Sequence, residues 1–127
     1  MTSTAPSHIH FHQKSQLLEV TFDSETYQLS AEFLRVFSPS AEVRGHGGGP
    51  LKLVPEKRWV KITHIEPVGH YAVKLTFDDG HDSGLYTWNT LRELGREQPS
   101  LWQEYLDRLA NEQLSREPKS APYKKVE

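Results

Sequence analysis

Seven histidines and no cysteine stand in this chain of 127 residues, so any metal chemistry must run through imidazole and carboxylate. His8, His10 and His12 are spaced two apart and would share one face if extended, a geometry that captures transition metals. They fall in a segment read as a loose terminus, so the expectation there is adventitious capture. His46 and His81 form the better pair, because each occupies a loop that can converge on the other. Two imidazoles fall short of the four ligands of a structural zinc site, or the three plus water of a catalytic one. Asp78, Asp79, Asp82 or Glu42 would have to complete such a site, with zinc or iron as the metal.

Hydrolytic chemistry would need Asp79, His81 and Ser83 to act together. Neighbours in one tight turn make a poor triad, whose members come from separate elements, and no Gly-x-Ser-x-Gly elbow surrounds Ser83. Asp78-Asp79-Gly80 is also ordinary hairpin-turn chemistry, and the His81 ring can simply hydrogen-bond across that turn. The run Arg44-Gly45-His46-Gly47-Gly48-Gly49 offers backbone donors to an anion. It lacks the Lys-Ser/Thr of a phosphate loop and the strand-to-helix setting of a dinucleotide fingerprint, so it reads as a flexible connector. The expectation is a chain that is not an enzyme and has no cofactor.

Composition narrows the partners. Fifteen Lys+Arg against 17 Asp+Glu give a net charge of −2, with no pull toward nucleic acid or an anionic membrane. Trp59 beside Lys57, Arg58 and Lys61 is the one aromatic cluster flanked by cations, and an acidic body argues against a single-strand platform there. No apolar run has the length of a membrane span and no signal-peptide layout opens the chain, so a cytoplasmic location is expected.

The elements that must position these residues follow from periodicity. Residues 1–14 read as a flexible N-terminus, 15–112 as a single domain, and 113–127 as a disordered basic tail. Leu18, Val20 and Phe22 alternate as a strand, Asp23-Ser24-Glu25 turns, and Thr26–Leu29 returns. Ser30 is placed to cap a short helix from Ala31 to about Phe37, which Ser38-Pro39 ends. Residues 38–55 are an irregular Gly/Pro-rich loop, the first place to look for function.

Trp59–Ile65 and Tyr71–Phe77 read as a hairpin. A two-residue Val68-Gly69 loop would pair His64 with Val73, Ile62 with Leu75 and Val60 with Phe77, all on a buried face. His70 would lie exposed at the turn. A second hairpin at Asp79-Gly80 returns through Ser83–Trp88, its register open between Leu85 and Tyr86 facing inward. Two short helices close the domain: one from Asn89 to Leu94 stopped by Gly95, one from Pro99 carrying Leu101, Trp102, Tyr105, Leu106 and Leu109 on one stripe. Trp59, Trp88 and Trp102 are expected in or beside the core. The fold class is α+β, a mainly antiparallel sheet with short helices packed on one side or end.

Three stretches carry a resemblance to a known family: Leu29–Arg35, Ser38–His46 and Phe77–Trp88, the last containing Asp78-Asp79-Gly80-His81-Asp82-Ser83-Gly84. Together they resemble the gamma-butyrobetaine hydroxylase-like N-terminal domain family, a domain of unknown function, here like its short stand-alone bacterial form. In the hydroxylase that domain precedes a 2-oxoglutarate oxygenase domain and binds zinc through three cysteines and one histidine. By the resemblance those cysteine positions fall on Ser38, Ser40 and Val43 and the histidine on His81, so only the histidine survives. The oxygenase domain has no counterpart here, so hydroxylase activity is not implied. Relatives of the domain also look attached to nucleotide-binding proteins of iron–sulfur cluster assembly, which by analogy implies a docking or accessory module.

The expected function is therefore a non-catalytic module that docks an unidentified protein partner through Arg44, Gly45, His46, Gly47, Asp79 and His81. The alternatives are a metal-binding protein using His46 and His81, with an iron–sulfur connection, and a small enzyme using Asp79, His81 and Ser83.

Overall fold

The computed structural model describes residues 5–39, 53–80 and 84–117. Their chain order begins with strands β1 (His8–His12), β2 (Leu17–Phe22) and β3 (Glu25–Ser30), then helix α1 (Ala31–Val36). Strands β4 (Ile62–Val68), β5 (Ala72–Phe77) and β6 (Gly84–Thr87) follow, and helix α2 (Trp88–Asn111) comes last. The strands form two three-stranded antiparallel sheets, β1-β2-β3 and β4-β5-β6. The class is α+β, as the sequence indicates.

One apolar cluster joins both sheets to the helices. Leu18, Val20, Phe22 and Leu29 from the first sheet meet Leu75, Phe77 and Tyr86 from the second, with Phe33 and Leu34 of α1 and Leu91 and Leu94 of α2. Burying each such side chain contributes roughly 1.5–3 kcal/mol relative to leaving it in water. Gln16 links the sheets through polar contacts: its carbonyl accepts the Ala31 N–H at 3.0 Å and its Oε1 accepts the Ile62 N–H at 2.9 Å. Ser30 caps α1 as expected, its Oγ accepting the Phe33 N–H at 3.0 Å.

Four local expectations change. Residues 8–12, expected within a flexible terminus, form a strand paired to β2 in the register His8 to Thr21 through His12 to Leu17. The cause is apolar: Ile9 and Phe11 alternate with the histidines and pack against the core cluster.

The β4–β5 hairpin is also shifted. β4 runs on through Val68, and Gly69, His70 and Tyr71 form the turn, with Gly69 at φ 56°. A bulge between Ile62 and His64 then pairs Ile62 with Phe77 and Ile65 with Leu75. His64 consequently faces water rather than the core, and Tyr71 stands 53 % exposed.

The two closing helices are one. Thr87 caps it by accepting the Thr90 N–H at 3.1 Å. Gly95 does not stop α2 but lets it approach the first sheet, since a Cβ there would lie 2.4 Å from Cγ of Tyr27. Pro99 sits inside α2 and withholds the N–H that would bond the carbonyl of Gly95.

Trp59, finally, is not core: it is 38 % exposed, whereas Trp88 is buried and Trp102 half-buried. The open register of the second hairpin resolves with Tyr86 opposite Val73 and fully buried, leaving Leu85 outside.

Candidate functional site

Of the residues singled out for docking or metal binding, Asp79 lies within the described structure. Arg44, Gly45, His46, Gly47 and His81 lie outside the described residues, as do Ser40, Glu42, Val43, Asp82 and Ser83. Asp79 follows β5 in the turn toward β6, and its Oδ2 accepts from Arg35 Nε at 2.9 Å and Lys57 Nζ at 2.5 Å. The three side chains are only 11, 22 and 15 % exposed for Arg35, Lys57 and Asp79. A carboxylate oxygen shared by two cations is committed to holding α1, the stretch before β4 and the β5–β6 turn together.

Beside this node, the Tyr86 hydroxyl donates to the Leu34 carbonyl and also meets the Ser38 side chain. Burial pushes the Tyr86 phenol well above its ordinary range, so it stays a neutral donor. Among the described residues, Arg35 Nη1 is buried without a hydrogen-bond partner.

Of the four positions that the resemblance implies for zinc, Ser38 is the one within the described residues, and it does not suit the ion. Ser38 is fully buried, and it offers a neutral hydroxyl engaged with Tyr86 next to the Arg35 guanidinium. A dication needs anionic or imidazole donors and gains nothing from a neighbouring cation.

A second feature escaped the sequence reading. A cleft of about 540 Å³ opens between the start of α1 (Ala31, Glu32, Phe33), Arg58–Val60, and Pro99, Trp102 and Gln103 of α2. At its edge, Arg116 donates to Glu32 through Nε at 2.8 Å and Nη2 at 2.7 Å, and its guanidinium lies 5.2 Å from the Trp102 ring centre. Glu32 raises the Arg116 pKa further above its ordinary value.

Residues 115–117 are held along this rim by backbone bonds from Glu56 to Ser115 at 2.9 Å and from Arg58 to Arg116 at 3.0 Å. Glu117 then accepts from Arg58 at 2.6 Å and from the Trp59 indole at 3.2 Å, while Arg58 lies 5.0 Å over that ring. Arg116 and Glu117, expected in a disordered tail, are thus part of the folded unit. The sequence signal for the cleft was Trp59 beside Arg58, which alone does not reveal the helix across from it.

The third cluster is on the outer face of β1 and β2. His12 Nε2 lies 2.9 Å from Glu19 Oε1, and His8 Nε2 lies 3.5 Å from Glu19 Oε2. The hydrogen bond from His12 holds the Glu19 carboxyl below its ordinary pKa. The donors meet in pairs: among the described residues, no group of three or more His, Asp or Glu is set around a metal-sized space. No helix of the described residues is long and apolar enough to cross a membrane.

Comparison with known proteins gives this geometry a family. The model for "gamma-butyrobetaine hydroxylase-like, N-terminal" matches residues 9–92. Two proteins solved in solution by NMR share 46 % and 47 % identity over 99 % of this chain, covering 100 % and 94 % of theirs, with TM-scores of 0.81 and 0.78. A crystal structure of a protein of unknown function in the DUF971 family, from Acidithiobacillus ferrooxidans, is 36 % identical over 71 % of this chain and 91 % of its own, with a TM-score of 0.56. No curated protein matches the chain. The chain belongs to the gamma-butyrobetaine hydroxylase-like N-terminal domain family.

Proposed function

We propose that this protein is a non-catalytic docking module of the cytoplasm that binds a protein partner through the cleft between α1 and α2. The observation that carries this reading is Trp59, 38 % exposed at the rim of an open cleft of about 540 Å³ whose far wall holds Trp102 and Pro99. Tryptophan and arginine dominate the energetics of protein interfaces, and here Arg58 and Arg116 lie over the two indole rings. The ion pairs around the cleft fix its walls, so a partner meets a surface already formed.

The test is a photo-crosslinking amino acid placed at position 59 of the full chain in its host cells, with parallel placements at His46 and His81. One discrete adduct from position 59, lost when Trp102 is replaced by Ala, is the expected result. Adducts at 46 or 81 and none at 59 would move the docking surface to the glycine-rich loop. Silence at all three positions would overturn the docking reading.

A further inference from the structure

We propose, resting on the docking reading of the α1–α2 cleft, that the partner enters it as an acidic peptide segment. Its Asp or Glu side chains meet Arg58 and Arg116, while a neighbouring apolar side chain sits against Trp59 and Trp102. The case starts from the charge of the lining. Among the described residues, three ionised side chains line the cleft: Glu32, Arg58 and Arg116. Glu32 is 6 % exposed, and Arg116 takes both of its oxygens. The guanidinium side chains are 41 % exposed for Arg58 and 32 % for Arg116. The charge a visitor meets inside is therefore positive, although the whole chain carries a net −2. Such a lining accepts an acidic segment and turns away a basic one.

Both guanidinium groups keep donors in hand. Arg116 bonds Glu32 through Nε and Nη2, which leaves Nη1, and Arg58 bonds Glu117 through Nη1 alone. A guanidinium presents five N–H groups in a planar fork that matches a carboxylate, and such charge-assisted bonds are the strong ones.

The chain itself shows this recognition at the rim. Glu117 accepts from Arg58 Nη1 at 2.6 Å and from Trp59 Nε1 at 3.2 Å, with half of its side chain still in solvent. An indole N–H beside a guanidinium thus already holds one carboxylate here. A partner carboxylate extends the pattern to the donors left over. The apolar lining of Phe33, Val60, Pro99 and the two tryptophans then takes a side chain next to it. Nucleic acid is the poorer fit, because a continuous phosphate backbone would run past the half-exposed Glu117 on a chain with net negative charge.

The test places a photo-crosslinking amino acid at position 103 of the full chain in its host cells. That position is on the α2 wall, so Trp59 and both arginines stay in place. The parent should give a discrete protein adduct whose linked peptide, read by mass spectrometry, carries Asp or Glu beside the link. Arg58→Glu should lower the adduct yield about tenfold or more, and Arg58→Lys much less. Reversing the partner's acidic residue to Lys should restore the adduct with Arg58→Glu, which a merely structural role of Arg58 would not allow. The composition of the linked peptide decides the matter even if Arg58→Glu melts early. A linked peptide without Asp or Glu, a yield unchanged in Arg58→Glu, or an adduct at 59 with none at 103 would overturn the acidic segment and leave the docking reading standing. Silence at both positions, or an adduct that nuclease removes, would overturn the two together.

Discussion

Glu32 and Arg116 are 84 residues apart in the chain and form a two-pronged ion pair at 2.7 and 2.8 Å. The carboxylate is 6 % exposed and the guanidinium 32 %. This pair closes the fold from its C-terminal side. It fixes the residues after α2 against α1, and with them the Trp59–Trp102 cleft. A buried carboxylate depends on its partner, because unpaired charge in the interior is costly.

Removing the cation is therefore expected to destabilise more than removing both groups. Arg116→Met should lower the free energy of unfolding by about 2–4 kcal/mol, somewhat under the full range for a buried pair because the guanidinium is partly solvated. Glu32→Gln combined with Arg116→Met should recover much of that loss. Urea unfolding of the single and double variants measures the difference. Equal stability of Arg116→Met and the parent would show that the pair holds nothing.

Gly95 lies where a helix former would ordinarily help. Substitution by Ala adds helix propensity of under about 1 kcal/mol. It also drives a methyl to 2.4 Å from the Tyr27 ring, which must move. Gly95→Ala should thus be destabilising by about 1–3 kcal/mol. The double variant with Tyr27→Ala should lose less than the two single effects together. Thermal melts of the four proteins decide it, and a Gly95→Ala protein as stable as the parent would contradict the close approach.

Tyr86 and Tyr105 are both held protonated by burial, their phenols pushed above the ordinary value. Because the folded pKa exceeds the unfolded one, their contribution is fully present below the unfolded tyrosine pKa of about 10. It is lost as pH rises beyond that value. Melting temperature should accordingly fall as pH rises above about 10, and less steeply in Tyr86→Phe. At neutral pH the same variant should be weakened by about 1 kcal/mol, since the Leu34 carbonyl loses its donor. A pH profile unchanged by Tyr86→Phe would count against a role for that hydroxyl.

The strand, cap and turn chemistry of this chain is local, and the sequence alone determines it. Leu18, Val20 and Phe22 alternate in register with the pleat, Ser30 supplies an oxygen where α1 needs one, and Tyr105 and Leu109 fall on the buried stripe of α2. The family was legible for the same reason, since the Asp78-Asp79-Gly80 turn and its flanks keep their spacing.

Contacts across the chain set the rest. Gly95 and Pro99 are helix breakers in isolation, yet α2 runs through both because Tyr27 packs against the bare Gly95 and the apolar stripe continues beyond Pro99. β1 becomes a strand because Ile9 and Phe11 find the core, which turns three histidines in a polar segment into an ordered row facing Glu19. Trp59 reads as core by type, but the rim formed by Arg116 and Glu117 holds it beside a cleft. Periodicity reports which residues share a face of their own element. Only tertiary packing decides which faces meet, and so which side chains are left to bind something else.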